Sequence, residues 1–169
     1  MRPLSPSSLG FAVTLLLGVL VTPGTAAAQT EAQPTPIEVA YLADTKPFRD
    51  RLGTYHEQLV AHQQAAAEGQ LDSIAIADLG DLTRELFAAR RAFAVAVPSA
   101  RLDQYDRTIK LALDRGYAAT VLLLRAQVTD SLPVRDALIR EAAIQSGSSS
   151  RLLEEASEEL RALLPAAAL

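Results

Sequence analysis

Cysteine is absent from all 169 residues. No disulfide can staple the chain, no thiol can serve as nucleophile or metal ligand, and neither a lipidated cysteine nor a thioether-linked haem can form. Tryptophan is missing too, and phenylalanine and tyrosine number only four each, so aromatic burial is a minor source of core energy. Histidine occurs twice, at His56 and His62, which excludes a histidine-rich metal site. The formal net charge is −4 without a basic run, giving no electrostatic reason to expect nucleic acid or an anionic membrane surface as partner.

Long apolar runs are also scarce, with one exception at the N-terminus. Arg2 precedes residues 10–21 (GFAVTLLLGVLV), and Pro23 and Gly24 end the run. A membrane-spanning helix needs roughly 20 apolar residues, so this stretch is too short to anchor. Ala26 and Ala28 stand at the small-x-small spacing that a signal peptidase reads. Residues 1–28 therefore read as a secretory signal peptide cleaved near Ala28, sending the chain to the periplasm or outside the cell, with no membrane segment left after cleavage.

Residues 29–43 read as a short flexible leader. Its first part (QTEAQPTP) is polar, holds two prolines and lacks an apolar stripe. Ile37, Val39 and Tyr41 then alternate, and a lone strand has nothing to pair with, so an extended segment or a short turn of helix is expected there.

Residues 44–169 carry helical periodicity and are enough for one domain with a conventional core. The first expected helix has Asp44 or Thr45 as cap and Pro47 in its first turn. Phe48, Leu52, Tyr55, Leu59, His62 and Ala66 form its stripe, and Gly69 ends it. A second starts near Ser73 or Asp78, aligns Leu79, Leu82, Leu86, Ala89 and Phe93, and stops at Pro98. The third is the clearest, with Ser99 as cap and Leu102, Tyr105, Ile109, Leu113, Thr120 and Leu124 on one side. Asp103–Arg107 and Asp106–Lys110 are acid-first pairs on its solvated face. The DSLP segment at 130–133 opens a fourth helix with Val134, Leu138, Ile139 and Ala142 as its apolar set. Gly147 and its neighbouring serines predict a turn, after which Leu152, Leu153, Ala156, Leu160 and Leu163 stripe a fifth. The fold class that follows is all-α, an antiparallel up-and-down bundle of four to five helices behind the signal peptide and leader.

One internal echo stands out. Arg51-Leu52-x-x-Tyr55-x-x-x-Leu59 recurs as Arg101-Leu102-x-x-Tyr105-x-x-x-Ile109. It fits a duplicated helical hairpin or two amphipathic helix starts that look alike by chance.

Catalytic signatures are lacking. Six residues apart on a helix, His56 and His62 diverge by about 120° and cannot grip one ion from one face; His56 is expected to face water and His62 to pack at an interface. His-Glu-x-x-His, Glu-x-x-His, Gly-x-Ser-x-Gly and phosphate-binding glycine loops do not occur. Gly116 inside a helix marks a close crossing. No catalytic residue, metal ligand or cofactor is assigned, and the chain reads as a non-enzymatic binding or scaffolding module of the cell envelope. Its partner would be an unknown envelope protein or a second copy, through apolar surface left on the second helix (Phe87, Phe93) or the fifth. The alternative is a helical domain binding a small ligand or cofactor, and possible enzyme, in a cleft formed by Tyr55, His62, Tyr105, Arg91 and Arg115.

Overall fold

The computed structural model describes residues 33–164. The expected signal peptide and the start of the expected leader lie outside the described residues. Within them the chain is all-helical and no strand occurs.

Helix α1 spans Pro36–Arg49 and begins upstream of the expected first helix. Its start is a capping box: the Thr35 backbone N–H donates to Glu38 Oε2 at 2.7 Å, while the Glu38 N–H donates to Thr35 Oγ1 at 3.3 Å. Pro36 at the first helical position adds a preset φ. The segment from Ile37 to Ala43, expected as extended chain or a brief helical turn, is thus the first half of a regular helix. Pro47 does not open a helix. It sits inside the last turn of α1, where its missing N–H helps bring the helix to an end at Arg49.

After a turn at Asp50–Arg51, α2 runs over Leu52–Ala67. Gly69, at φ +70°, closes it. The Gln70 N–H donates to Ala65 O at 2.8 Å and the Gly69 N–H to Ala66 O at 3.2 Å, the paired bonds of a Schellman cap that needs a left-handed residue. Helix α3 (Ser73–Val95) is capped by Asp72, whose side chain accepts from the Ala75 N–H at 2.8 Å. Its buried set of Leu79, Leu82, Leu86, Ala89 and Phe93 is the stripe read from the sequence.

Helix α4 covers Asp103–Gln127 and α5 covers Leu132–Leu163. The turn expected around Gly147 is not there, and α5 passes straight through it. Its serines meet their polar needs without leaving the helix: Ser150 Oγ donates to Ser146 O at 2.9 Å and Ser149 Oγ to Ala112 O of α4 at 2.8 Å. Ser146 and Ser149 are buried. A Cβ on Gly116 would stand 3.2 Å from Ser149 Oγ, so the small residues here let α5 approach α4 closely.

Helix α4 lies along α5 and also packs on α3, while α2 packs on α5 and α3, and α1 on α3. Between them sit Tyr41, Tyr55, Leu59, Leu79, Phe93, Leu102, Tyr105, Ile109, Leu113 and Leu123. Each such leucine or phenylalanine contributes about 1.5–3 kcal/mol by leaving water. Two expectations about faces change. Val134, assigned to the apolar set of its helix, is exposed, and Asp106, assigned to a solvated face, is buried.

Candidate functional site

The five side chains expected to share a cleft do not come together. Tyr55 is buried on α2 beneath the Arg51 guanidinium, 5.1 Å from its ring centre, and burial raises its phenol above the usual range. The space beside it, among Leu59, Leu86, Leu113 and Gly116, is only about 10 Å³, room for a single water at most. Tyr105 lies edge-on to Tyr41, 6.4 Å between ring centres. It lines a separate cleft of about 190 Å³ with Arg49, Asp50, Ser157 and Arg161, and its phenol is pushed up by burial, with Arg49 opposing.

Arg115 is exposed on α4 and donates to Gln145 Oε1 at 2.9 Å. His62 is half-buried on α2; desolvation holds its imidazole below the usual pKa, and Asp78 opposes that. Arg91 is exposed on α3. Tyr55, Tyr105 and Arg115 border three different hollows, and neither His62 nor Arg91 borders any of them. Shared chemistry requires convergence within one cavity, which this set lacks.

Sequence reasoning missed a buried polar cluster that seats α1. Tyr41 Oη donates to Asp106 Oδ1 at 2.9 Å, and Lys110 Nζ donates to Asp106 Oδ2 at 2.6 Å. Burial and the neighbouring Asp106 carboxylate raise the Tyr41 phenol far above its usual range, so it remains a donor. Nearby, Ser99 Oγ donates to Glu38 Oε1 at 2.8 Å, Arg101 Nη1 stands 4.0 Å from Glu38 Oε2, and Arg101 also donates to Leu163 O. The Thr35 N–H, then the Ser99 and Thr35 hydroxyls and Arg101, hold the Glu38 carboxyl below its ordinary value against the cost of burial. Asp106–Lys110 was legible as a helical pair, but Tyr41 lay in a segment read as leader. Every acid here is already satisfied by donors, which makes the cluster a seat for α1 rather than a reaction centre.

A second arrangement that the sequence did not signal lies between α2 and α5. His56 Nδ1 is 3.0 Å from Ser150 Oγ, at the edge of an open groove of about 320 Å³ lined by Leu52, Gly53, Leu153, Glu154, Glu158 and Arg161. The Ser150 hydroxyl owns one proton. Directed to Ser146 O, it leaves His56 Nδ1 to act as donor and frees Nε2 as an acceptor. Acyl transfer is not served by this pair, because Ser150 sits deep inside α5, where backbone N–H groups are consumed by the helix and no oxyanion donor is left.

The outward side of α4 forms a third feature. A shallow groove of about 680 Å³ runs over Leu111, Asp114, Arg115, Tyr117, Ala118, Val121 and Leu122, flanked by Arg90 of α3 and Glu141 and Gln145 of α5. Arg90 stacks over the Tyr117 ring at 4.6 Å and pairs with Asp114. Phe87, whose ring centre is 6.0 Å from that of Tyr117, is exposed, as are Leu111 and Ile144. Phe93, expected beside Phe87 as partner-facing surface, is instead wholly buried.

Among the described residues no group of three His, Cys, Asp or Glu side chains is placed to hold a metal ion, and no helix is long and apolar enough to cross a membrane. Compared with protein-family models, with curated proteins and with solved structures, the chain matches none.

Proposed function

We propose that this chain is an exported, non-enzymatic module that binds or scaffolds a partner in the cell envelope, its helices running up and down as an antiparallel bundle. The observation that carries the reading is the outward side of α4. A helix buried along one side against α3 and α5 keeps Leu111 in solvent on the other, along a groove that reaches Tyr117, whose ring meets exposed Phe87 of α3. Contiguous apolar surface of this kind is the mark of an interaction face, whereas scattered single residues are not. Export is supported by the apolar run at residues 10–21 and by Ala26 and Ala28.

The test is fractionation of cells expressing the full chain, followed by N-terminal sequencing of the product and crosslinking in place. The expected product begins near Gln29, lies outside the cytoplasm and crosslinks through residues of α4. An unprocessed cytoplasmic product, or an α4 surface that no crosslinker reaches a partner from, refutes the reading.

A second reading, binding of a small ligand, is favoured by one observation. Glu154, Glu158 and Arg161 line the His56 groove without an ion pair or hydrogen bond to any described residue, in contrast to Arg51, Arg90 and Arg107, which are paired. Gly53 keeps that groove open, since a Cβ there would meet nothing within 4 Å. Filling it with Gly53→Leu should abolish any ligand-induced rise in melting temperature found by screening small amines and amino acids; a rise that survives the substitution places the ligand elsewhere.

A further inference from the structure

The residues left on the outer side of α4 follow a pattern that specifies their occupant. Leu111, Asp114, Ala118, Val121, Arg125 and Val128 are separated by three, four, three, four and three positions, the a/d spacing of a coiled-coil seam. From Leu111 to Arg125 the row lies on α4, with Val128 as its C-cap, and at 100° per residue it lies opposite the buried row of Ile109, Ala112, Gly116, Ala119, Leu123 and Ala126. Leu111, Asp114, Arg125 and Val128 are exposed and Ala118 and Val121 only partly buried, Val128 retaining 83% of its surface. Among the described residues α3 and α5 reach only the margins of the row, through Arg90, Glu141 and Gln145.

Resting on the proposed binding role, we infer that a second copy of this chain occupies the face, α4 against α4 in antiparallel register about a two-fold axis between Ala118 and Val121. Antiparallel helices set each a position opposite a d position of the partner. Leu111 then meets Val128 of the second copy, Ala118 meets Val121, and Asp114 meets Arg125, each pairing occurring twice by symmetry. The charge pattern selects this arrangement. A parallel pair would oppose Asp114 with Asp114 and Arg125 with Arg125, which like charges disfavour. Asp114 has an oxygen to give: Arg90 Nε engages its Oδ1 alone, and Arg125 makes no side-chain hydrogen bond or ion pair to any described residue. Ala118 at the centre permits close approach of the two axes, and exposed Phe87, whose ring meets that of groove-lining Tyr117, is placed to gain cover from the same partner.

Sedimentation velocity of protein purified from cells expressing the full chain, over a concentration series, reads the assembly directly. A dimer is expected. Arg125→Asp should weaken it by about tenfold or more, since two attractive pairs become repulsive. Asp114→Arg should do the same, and the double reversal should return the dissociation constant to within about threefold of the parent, a recovery that generic surface damage would not give. Because Arg125 is exposed and makes no side-chain pair to any described residue, its variant should keep the parental circular dichroism. A monomer up to about 100 μM, a range in which weak specific dimers already form, refutes the inference; so does a dimer indifferent to Arg125→Asp or not recovered by the double reversal. Processing and export are read independently, so a monomer found in the envelope overturns the dimer alone, whereas a cytoplasmic product overturns the functional reading whatever its assembly state.

Discussion

Helix α1 and helix α5 are both held against α4, but by opposite means. α1 is seated through buried polar atoms, with Tyr41 on Asp106 and Glu38 on Ser99 above an apolar floor where Tyr41 meets Phe93 at 6.3 Å between ring centres. α5 is held by closeness: Gly116, Ala112, Ser146 and Ser149 bring two backbones together, and one hydroxyl bridges them. A polar seat is directional and expensive to leave half-satisfied. A small-residue seam derives its strength from contact area and tolerates change only where space remains.

That difference ranks the expected effects of substitution. The largest should come from the floor of the α1 seat: Phe93→Ala empties a fully buried site and should cost about 3–5 kcal/mol in urea denaturation. A loss under about 1 kcal/mol would mean that α1 does not depend on this floor. Next comes Asp106→Ala, which strands the Tyr41 hydroxyl and Lys110 ammonium and should cost about 2–3 kcal/mol, against about 1 kcal/mol for Tyr41→Phe, which leaves the Asp106–Lys110 pair in place. Equal losses for the two would show that the carboxylate is not the hub of the seat.

Gly147→Ala should raise stability by about 0.5–1 kcal/mol, because nothing lies within 4 Å of its missing Cβ and alanine favours the helix that runs through it. A loss of stability would instead indicate a turn at that position. The smallest effect is on acid sensitivity. Glu38 has a folded pKa below its ordinary value of 4.5, so its contribution is complete above about pH 4.5 and is lost as the pH falls through the lowered value. Melting temperature measured from pH 6 to pH 3 should fall less steeply for Glu38→Gln than for the parent, although the variant starts lower. Parallel curves would remove Glu38 from the seat.

The same two regions mark how far the sequence could be read. α3 was legible along its buried stripe, since Leu79, Leu82, Leu86, Ala89 and Phe93 are apolar at helical spacing and all buried, while its start stood open between Ser73 and Asp78. α4 was legible by the same logic at Tyr105, Ile109 and Leu113. Helix α1 was not, because what seats it is Glu38, Tyr41 and Thr45, a mixture that carries little apolar periodicity, and Pro47 suggested a beginning where the helix ends. The break expected in α5 came from reading Gly147 and its serines by their turn preference, when burial against α4 made small side chains an asset.

The candidate cleft failed for a related reason. Tyr55 and Tyr105 occupy equivalent places at two similar helix starts, and both are consumed by the core. Arg91 and Arg115 lie on exposed surface, where spacing along the chain says nothing about convergence in space. His56, expected to face water, meets Ser150 across helices ninety-four positions apart in the chain, a contact that no local pattern announces.

The most direct test of the outward face of α4 uses the absence of cysteine, which makes any introduced thiol unique. Leu111→Cys and Val128→Cys chains, mixed and oxidised, should yield disulfide-linked dimers joining one of each, while neither variant alone should crosslink. Crosslinking of each variant with itself and not with the other would mean parallel pairing, and no crosslink in any sample would leave the face without its second copy; either result contradicts the account.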